Sequence, residues 1–109
     1  MPYDEPLAER IEALMGKRSG VTQKRMFGGL AFMLHGNMCC GVMKDRIMLR
    51  LGPEGVKAAL NEPHTEPMDF TGKPMKSMVY VRPEGYESDA DLEKWIEKAI
   101  RFARTLPPK

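Results

Sequence analysis

From Lys24 to Leu51 the chain reads KRMFGGLAFMLHGNMCCGVMKDRIMLRL, an alternation of apolar with polar or small residues broken at short intervals by turn formers. A period of two is the signature of a strand. Strands joined by breaks of two or three residues must run antiparallel, because parallel neighbours need a long crossover. The stretch therefore predicts a β-meander, and the rest of the chain has to cover it. After Met26 and Phe27, Gly28-Gly29 breaks the first run, and Leu30, Phe32 and Leu34 then share a face. His35-Gly36-Asn37 is a turn, since Gly and Asn tolerate positive φ. Met38, Cys40 and Val42 are expected on the next apolar face, opposed by Cys39, Gly41 and Met43. Gly41 inside a strand suggests a bulge or a close backbone approach. Lys44-Asp45 is a second tight turn, after which Ile47, Leu49 and Leu51 alternate with Arg46, Met48 and Arg50.

The flanks read as helices with one more strand. Asp4-Glu5-Pro6 opens a helix whose Leu7, Ile11, Leu14 and Met15 form one stripe, ended by Gly16 and Gly20. A strand from Val21 to Phe27 leads into the meander. Gly52-Pro53 starts a short second helix carrying Val56, Ala59 and Leu60. Residues 61–74 hold three prolines and a glycine and read as an ordered connection without regular structure, anchored by Met68 and Phe70. Met75 to Arg82 is a fifth strand, with Ser77, Val79 and Val81 opposite Met78, Tyr80 and Arg82. Pro83-Glu84-Gly85 turns out of it. Ser88 and Asp91 then cap a third helix with Leu92, Trp95, Ile96, Ala99, Ile100 and Ala103 on one stripe. The expected class is α+β: an antiparallel sheet of about five strands with three helices, in the order α-β-β-β-β-α-β-α.

Composition narrows the function classes. At 109 residues the chain suits one domain, 1–109, that buries roughly two-thirds of its unfolded surface. With 42% hydrophobic and 29% charged residues it is not a disordered chain. No apolar run approaches the ~20 residues of a membrane span. Acids stand at the N-terminus where a signal peptide would carry basic residues, so a cytoplasmic protein is expected. Cys39 and Cys40 are adjacent and expected to diverge across a strand, which disfavours a disulfide between them and suits a reducing compartment. The net charge of +2 predicts no nucleic-acid partner by itself, although it is distributed as +4 over residues 17–25, −5 over 84–97 and +4 over 98–109.

With these residues in hand, the chain resembles the N-terminal domain of the TfoX/Sxy family of bacterial competence regulators. The likeness rests on KRMFGGLAF after a first helix, HGNMCCGVM and KDRIMLRL as successive strands, and MDFTGKPMKSMVYVRPEGY before a helix containing Trp95. Met26, Phe27, Gly28 and Gly29 are its structural motif, and the Tyr80…Pro83 strand end is its other specific point. The closest likeness is to small proteins made of this domain alone. The resemblance implies a compact α+β domain, often dimeric, and carries no catalytic residues. The second domain of full-length competence regulators has no counterpart in these residues.

Several side-chain groupings point toward chemistry without completing it. Gly28-Gly29 lacks the further glycines, the lysine and the following helix of a phosphate loop, so a bend or bulge is the expected role. Cys39, Cys40, His35 and His64 lack the spacing of a structural zinc site. Cys40 is expected in the core and Cys39 as a partly exposed thiol. A Cys–His nucleophilic pair would still need an orienting group and an oxyanion donor, and neither is recognisable. We therefore assign no catalytic residue, cofactor or metal. Met33, Met43, Met48 and Met78 lie opposite the main apolar faces, either as a patch open to a partner or as the second half of a two-sided core. Lys17, Arg18, Lys24, Arg25, Arg46, Arg50 and Arg82 are the candidates for a nucleic-acid surface. The expected function is a non-enzymatic regulatory or adaptor domain acting through protein–protein contact, as a homodimer with an unidentified protein partner and no membrane association. The alternative is a nucleic-acid-binding transcriptional regulator using the basic residues. A third reading is a small enzyme or ligand binder near Cys39, His64 and 61–74.

Overall fold

The computed structural model describes residues 3–16, 20–26, 28–70 and 73–108, with backbone alone at residues 26, 69, 70 and 73–75. Helix α1 (Glu5–Met15) is followed by β1 (Val21–Met26), β2 (Gly29–Leu34), β3 (Asn37–Met43) and β4 (Arg46–Arg50). Helix α2 (Gly52–Leu60), β5 (Thr65–Phe70), β6 (Lys73–Val81), one 3₁₀ turn (Pro83–Gly85) and α3 (Asp89–Ala103) complete the order. The strands form one sheet in the order β1-β2-β3-β4-β6-β5, with every pairing antiparallel. The fold is α+β as expected, with six strands where about five were predicted.

Local chemistry explains most boundaries. Asp4 caps α1 by accepting a hydrogen bond from the Leu7 amide at 3.0 Å, and Ser88 does the same for α3 from the Asp91 amide at 3.1 Å. Gly28 takes φ +76° just before Gly29, which pairs with Met26 where β2 begins. The glycine pair thus stands where the chain reverses between β1 and β2 rather than at a bulge within a strand, and a side chain at position 29 would collide with the Val42 carbonyl. His35 and Gly36 both take positive φ between Leu34 and Asn37, and Lys44 does so between Met43 and Arg46, as tight hairpins require.

Two expectations about strand placement and facing fail here. Residues 61–74 are not irregular throughout, because Thr65–Phe70 pairs with β6. Pro67 disguised that strand, and it is tolerated because β5 lies at the sheet edge, where a missing N–H breaks no interior ladder. The next strand likewise begins at Lys73 rather than Met75. Second, Met38 and Cys39 exchange faces. Phe32 pairs with Cys40 but Met33 pairs with Met38, so Cys39 is one extra residue on β3, a β-bulge. The bulge turns Met38 to the Met33 side and both thiols into the main core, and Cys39 is fully buried rather than partly exposed.

That core lies between the helices and one sheet face, joining Ile11 and Met15 of α1, Val56 of α2 and Trp95, Ile96 and Ile100 of α3 to Phe32, Val42, Leu49 and Val79. Burying each such large side chain contributes about 1.5–3 kcal/mol. Of the apolar residues that α2 carries, Val56 and Ala59 are buried and Leu60 is exposed. Among the described residues no helix is long and apolar enough to cross a membrane.

Candidate protein-contact face

The opposite face of the sheet holds a second apolar cluster made from strands alone. Met48, Met68, Met78 and Tyr80 are buried in it, and Met38 and Met43 pack half-buried against it. Register explains the assembly. Ala31 pairs with Gly41, Gly41 with Met48, and Met48 with Tyr80, so a row of small residues leads to a methionine and an aromatic ring. Gly41 makes the close approach its position suggested: a Cβ there would lie 2.7 Å from Met48 Cε and 2.6 Å from the Leu30 carbonyl oxygen. Unbranched thioether side chains can fold over such a floor and fill irregular space.

Polar groups close the edge of this cluster. Tyr80 donates its hydroxyl to Met43 Sδ at 3.2 Å, and the Arg46 guanidinium lies 5.5 Å from the centre of its ring. Glu66 pairs with Arg46 at 3.1 Å and with Arg82 at 3.8 Å. Burial raises the Tyr80 phenol above its ordinary pKa, with Glu66 adding to the rise and Arg46 opposing it. The phenol therefore stays protonated and keeps its hydrogen bond to Met43.

The four methionines singled out in the sequence accordingly divide. Met48 and Met78 are buried at the centre of the face, while Met33 and Met43 are half-buried farther out. The face is sealed at its centre and accessible toward β2 and β3. Met38, Met68 and Glu66 were missed as its members. No local signal marks them, because a bulge, an edge strand and a salt bridge across strands each depend on the neighbouring strand.

Among the described residues the basic candidates do not form one surface. Arg46 and Arg82 share Glu66, and Arg50 turns toward α3, where its guanidinium lies 6.0 Å from the Phe102 ring centre. Lys24 and Arg25 are exposed on the edge strand β1. Lys17, Arg18 and Phe27 lie outside the described residues, and Met26 is described by its backbone only, as is the expected anchor Phe70.

The sulfur and imidazole groups are likewise separated. His35 and His64 stand exposed in turns, whereas Cys39 and Cys40 are buried. Cys40 donates to Met15 Sδ at 3.2 Å. Hydrogen bonding with Cys39, and then burial, push its thiol well above the ordinary value, which disfavours the reactive thiolate. Among the described residues no group of three or more His, Cys, Asp and Glu side chains is placed to hold a metal ion.

Compared with known families, residues 13–103 match the model of the TfoX N-terminal domain. No curated protein and no solved structure matches the chain.

Proposed function

The chain belongs to the TfoX N-terminal domain family, linked to competence regulation, and from that premise we propose that it is a non-enzymatic regulatory or adaptor domain working through protein–protein contact, as a homodimer. The observation that carries this reading is the strand-only methionine face. Met38 and Met43 pack half-buried against a sealed Met48–Tyr80 centre, half-buried Met33 pairs with Met38, and Arg46, Glu66 and Arg82 stand at its edge. Half-covered thioethers next to paired charges suit a protein surface, since Met adapts to a partner and rim charges set orientation. The division of the basic side chains between Glu66 and the Phe102 ring weighs against a continuous track for phosphates.

The test is a native-extract pull-down and light scattering on the wild type and on a Met33→Asp/Met38→Asp variant. The expected results are a wild-type dimer and captured protein partners, both lost in a variant whose Trp95 fluorescence stays native. A strict wild-type monomer at high concentration would refute the dimer. Unchanged partner capture by the variant would refute the face.

A further inference from the structure

Away from the methionine face, α2 and α3 enclose an open cavity of about 350 Å³. Its apolar lining comes from Leu51, Ala58 and Phe102, with Gly55 leaving the α2 side low, and its polar lining from Lys98, Arg101 and Thr105. Leu51 is buried and Phe102 half-buried, so the floor is fixed by the fold. Gly52 contributes to this: it takes φ +78°, and a Cβ there would lie 2.5 Å from the Phe102 ring.

The polar lining is one-signed. Thr105 donates its hydroxyl proton to the Phe102 carbonyl at 2.6 Å, which leaves the two cations as the donors facing the cavity. Lys98 gives one hydrogen bond to Glu62 at 3.1 Å and stands 4.8 Å from the Trp95 ring centre, and its ammonium keeps further N–H donors for the cavity side. Glu62 also serves Lys94 at 3.0 Å, so two lysines share one carboxylate and a net positive charge remains. Arg101 is exposed at the mouth, and Arg50 adds a further cation near the Phe102 ring. The acids of these two helices do not line the cavity.

We propose that this cavity is a binding site for a small anionic amphiphile, a carboxylate on a short apolar chain. The chain would lie on Leu51, Ala58 and Phe102, and the carboxylate would meet Arg101 and Lys98. The volume stands at the lower end of ligand pockets, about 300–1,000 Å³, which selects a short chain over a long one. A carboxylate can take a paired hydrogen bond from a guanidinium, and an alcohol of the same length cannot. This site is separate from the methionine face and stands or falls independently of it.

The experiment is an amide-shift NMR titration of the full chain with octanoate, 1-octanol and octylammonium. Octanoate is expected to saturate with a dissociation constant on the order of 0.1–1 mM. Its shifts should be confined to the amides around Gly55, Ala58, Phe102 and Thr105. Octanol should bind about tenfold more weakly, and octylammonium should leave those amides in place. Arg101→Glu, on the surface, should weaken octanoate at least about tenfold. Ala58→Phe, at an exposed helix position, should fill the space and abolish saturation. Octanol binding as well as octanoate, unchanged affinity in Arg101→Glu, or shifts that never saturate in the folded wild type would each overturn the site.

Discussion

Phe32 and Met48 are both closed to solvent, but on opposite faces of the sheet and by different means. Phe32 belongs to a cluster supplied by all three helices together with the sheet, so rigid elements are pressed against it from outside. Met48 belongs to a cluster drawn from strands alone, where long thioethers pack with one tyrosine and Met48 lies close over Gly41. A face covered by helices has committed its apolar area to the fold. A face that closes over itself with flexible side chains keeps part of that area adaptable, which is the ground for proposing the second face as the one that meets another protein.

Substitutions can break or sharpen this contrast. Phe32→Ala empties a site hemmed in by rigid neighbours and should cost about 3–5 kcal/mol in urea unfolding. Met48→Ala should cost only about 2 kcal/mol, because the surrounding methionines can move into the space. Equal losses from the two would erase the distinction. Gly41→Ala tests the close approach itself. Its methyl must displace Met48 or push against the Leu30 carbonyl, so a loss of about 1–3 kcal/mol is expected, and a neutral result would mean the strand yields.

The two buried phenols, one on each face, give a subtler readout. Burial, reinforced by Asp4 and Asp45 against the opposing Arg10, pushes Tyr86 up to about 12. Tyr86 on the helix side should therefore titrate after Tyr80 in an ultraviolet absorbance titration. A folded value above the unfolded one means that Tyr86 contributes stability that is full below about pH 10 and is lost as pH rises toward 12. Tyr86→Phe should remove that slope. A Tyr86 that titrates first would reverse the order of burial.

The smallest effect is expected at the clamp between α2 and α3. Burial raises the Glu62 carboxyl, but hydrogen bonds from Lys94 and Lys98 outweigh it and hold the group below its ordinary value. Its contribution is therefore present above the usual carboxylate range and lost as pH falls through the folded value. Glu62→Gln should cost less than about 1 kcal/mol near neutral pH, since the pair is partly exposed, and should flatten the acid limb of the urea-midpoint profile. An unchanged acid limb would show that the clamp contributes nothing.

Much of the fold was legible because its signals are local. The Asp4 and Ser88 caps, the Leu92–Ala103 stripe, the hairpin turns at His35-Gly36 and Lys44-Asp45 and the faces of the strands after Lys44 all stand where the residues imply. The misplacements share a cause. Thr65–Phe70, with its proline and acids, has little strand character of its own and became a strand because β6 offered it a ladder. The Cys39 bulge left no mark in the alternation, because it is a mismatch in length between two strands and belongs to neither alone.

The candidate site was half legible for the same reason. Alternation placed Met33, Met43, Met48 and Met78 together on the face opposite Leu49 and Val79, as the pairing of β2, β3, β4 and β6 has them. It could not say which of the four would be closed off, that Met38 would join them, or that Glu66 would gather Arg46 and Arg82. Period and turn chemistry act between residues a few positions apart, so the sequence alone decided which side chains share a face and where the chain reverses. Burial, register and charge pairing act between residues brought close by folding, so only the tertiary structure decided what covers each face and which polar groups meet across it.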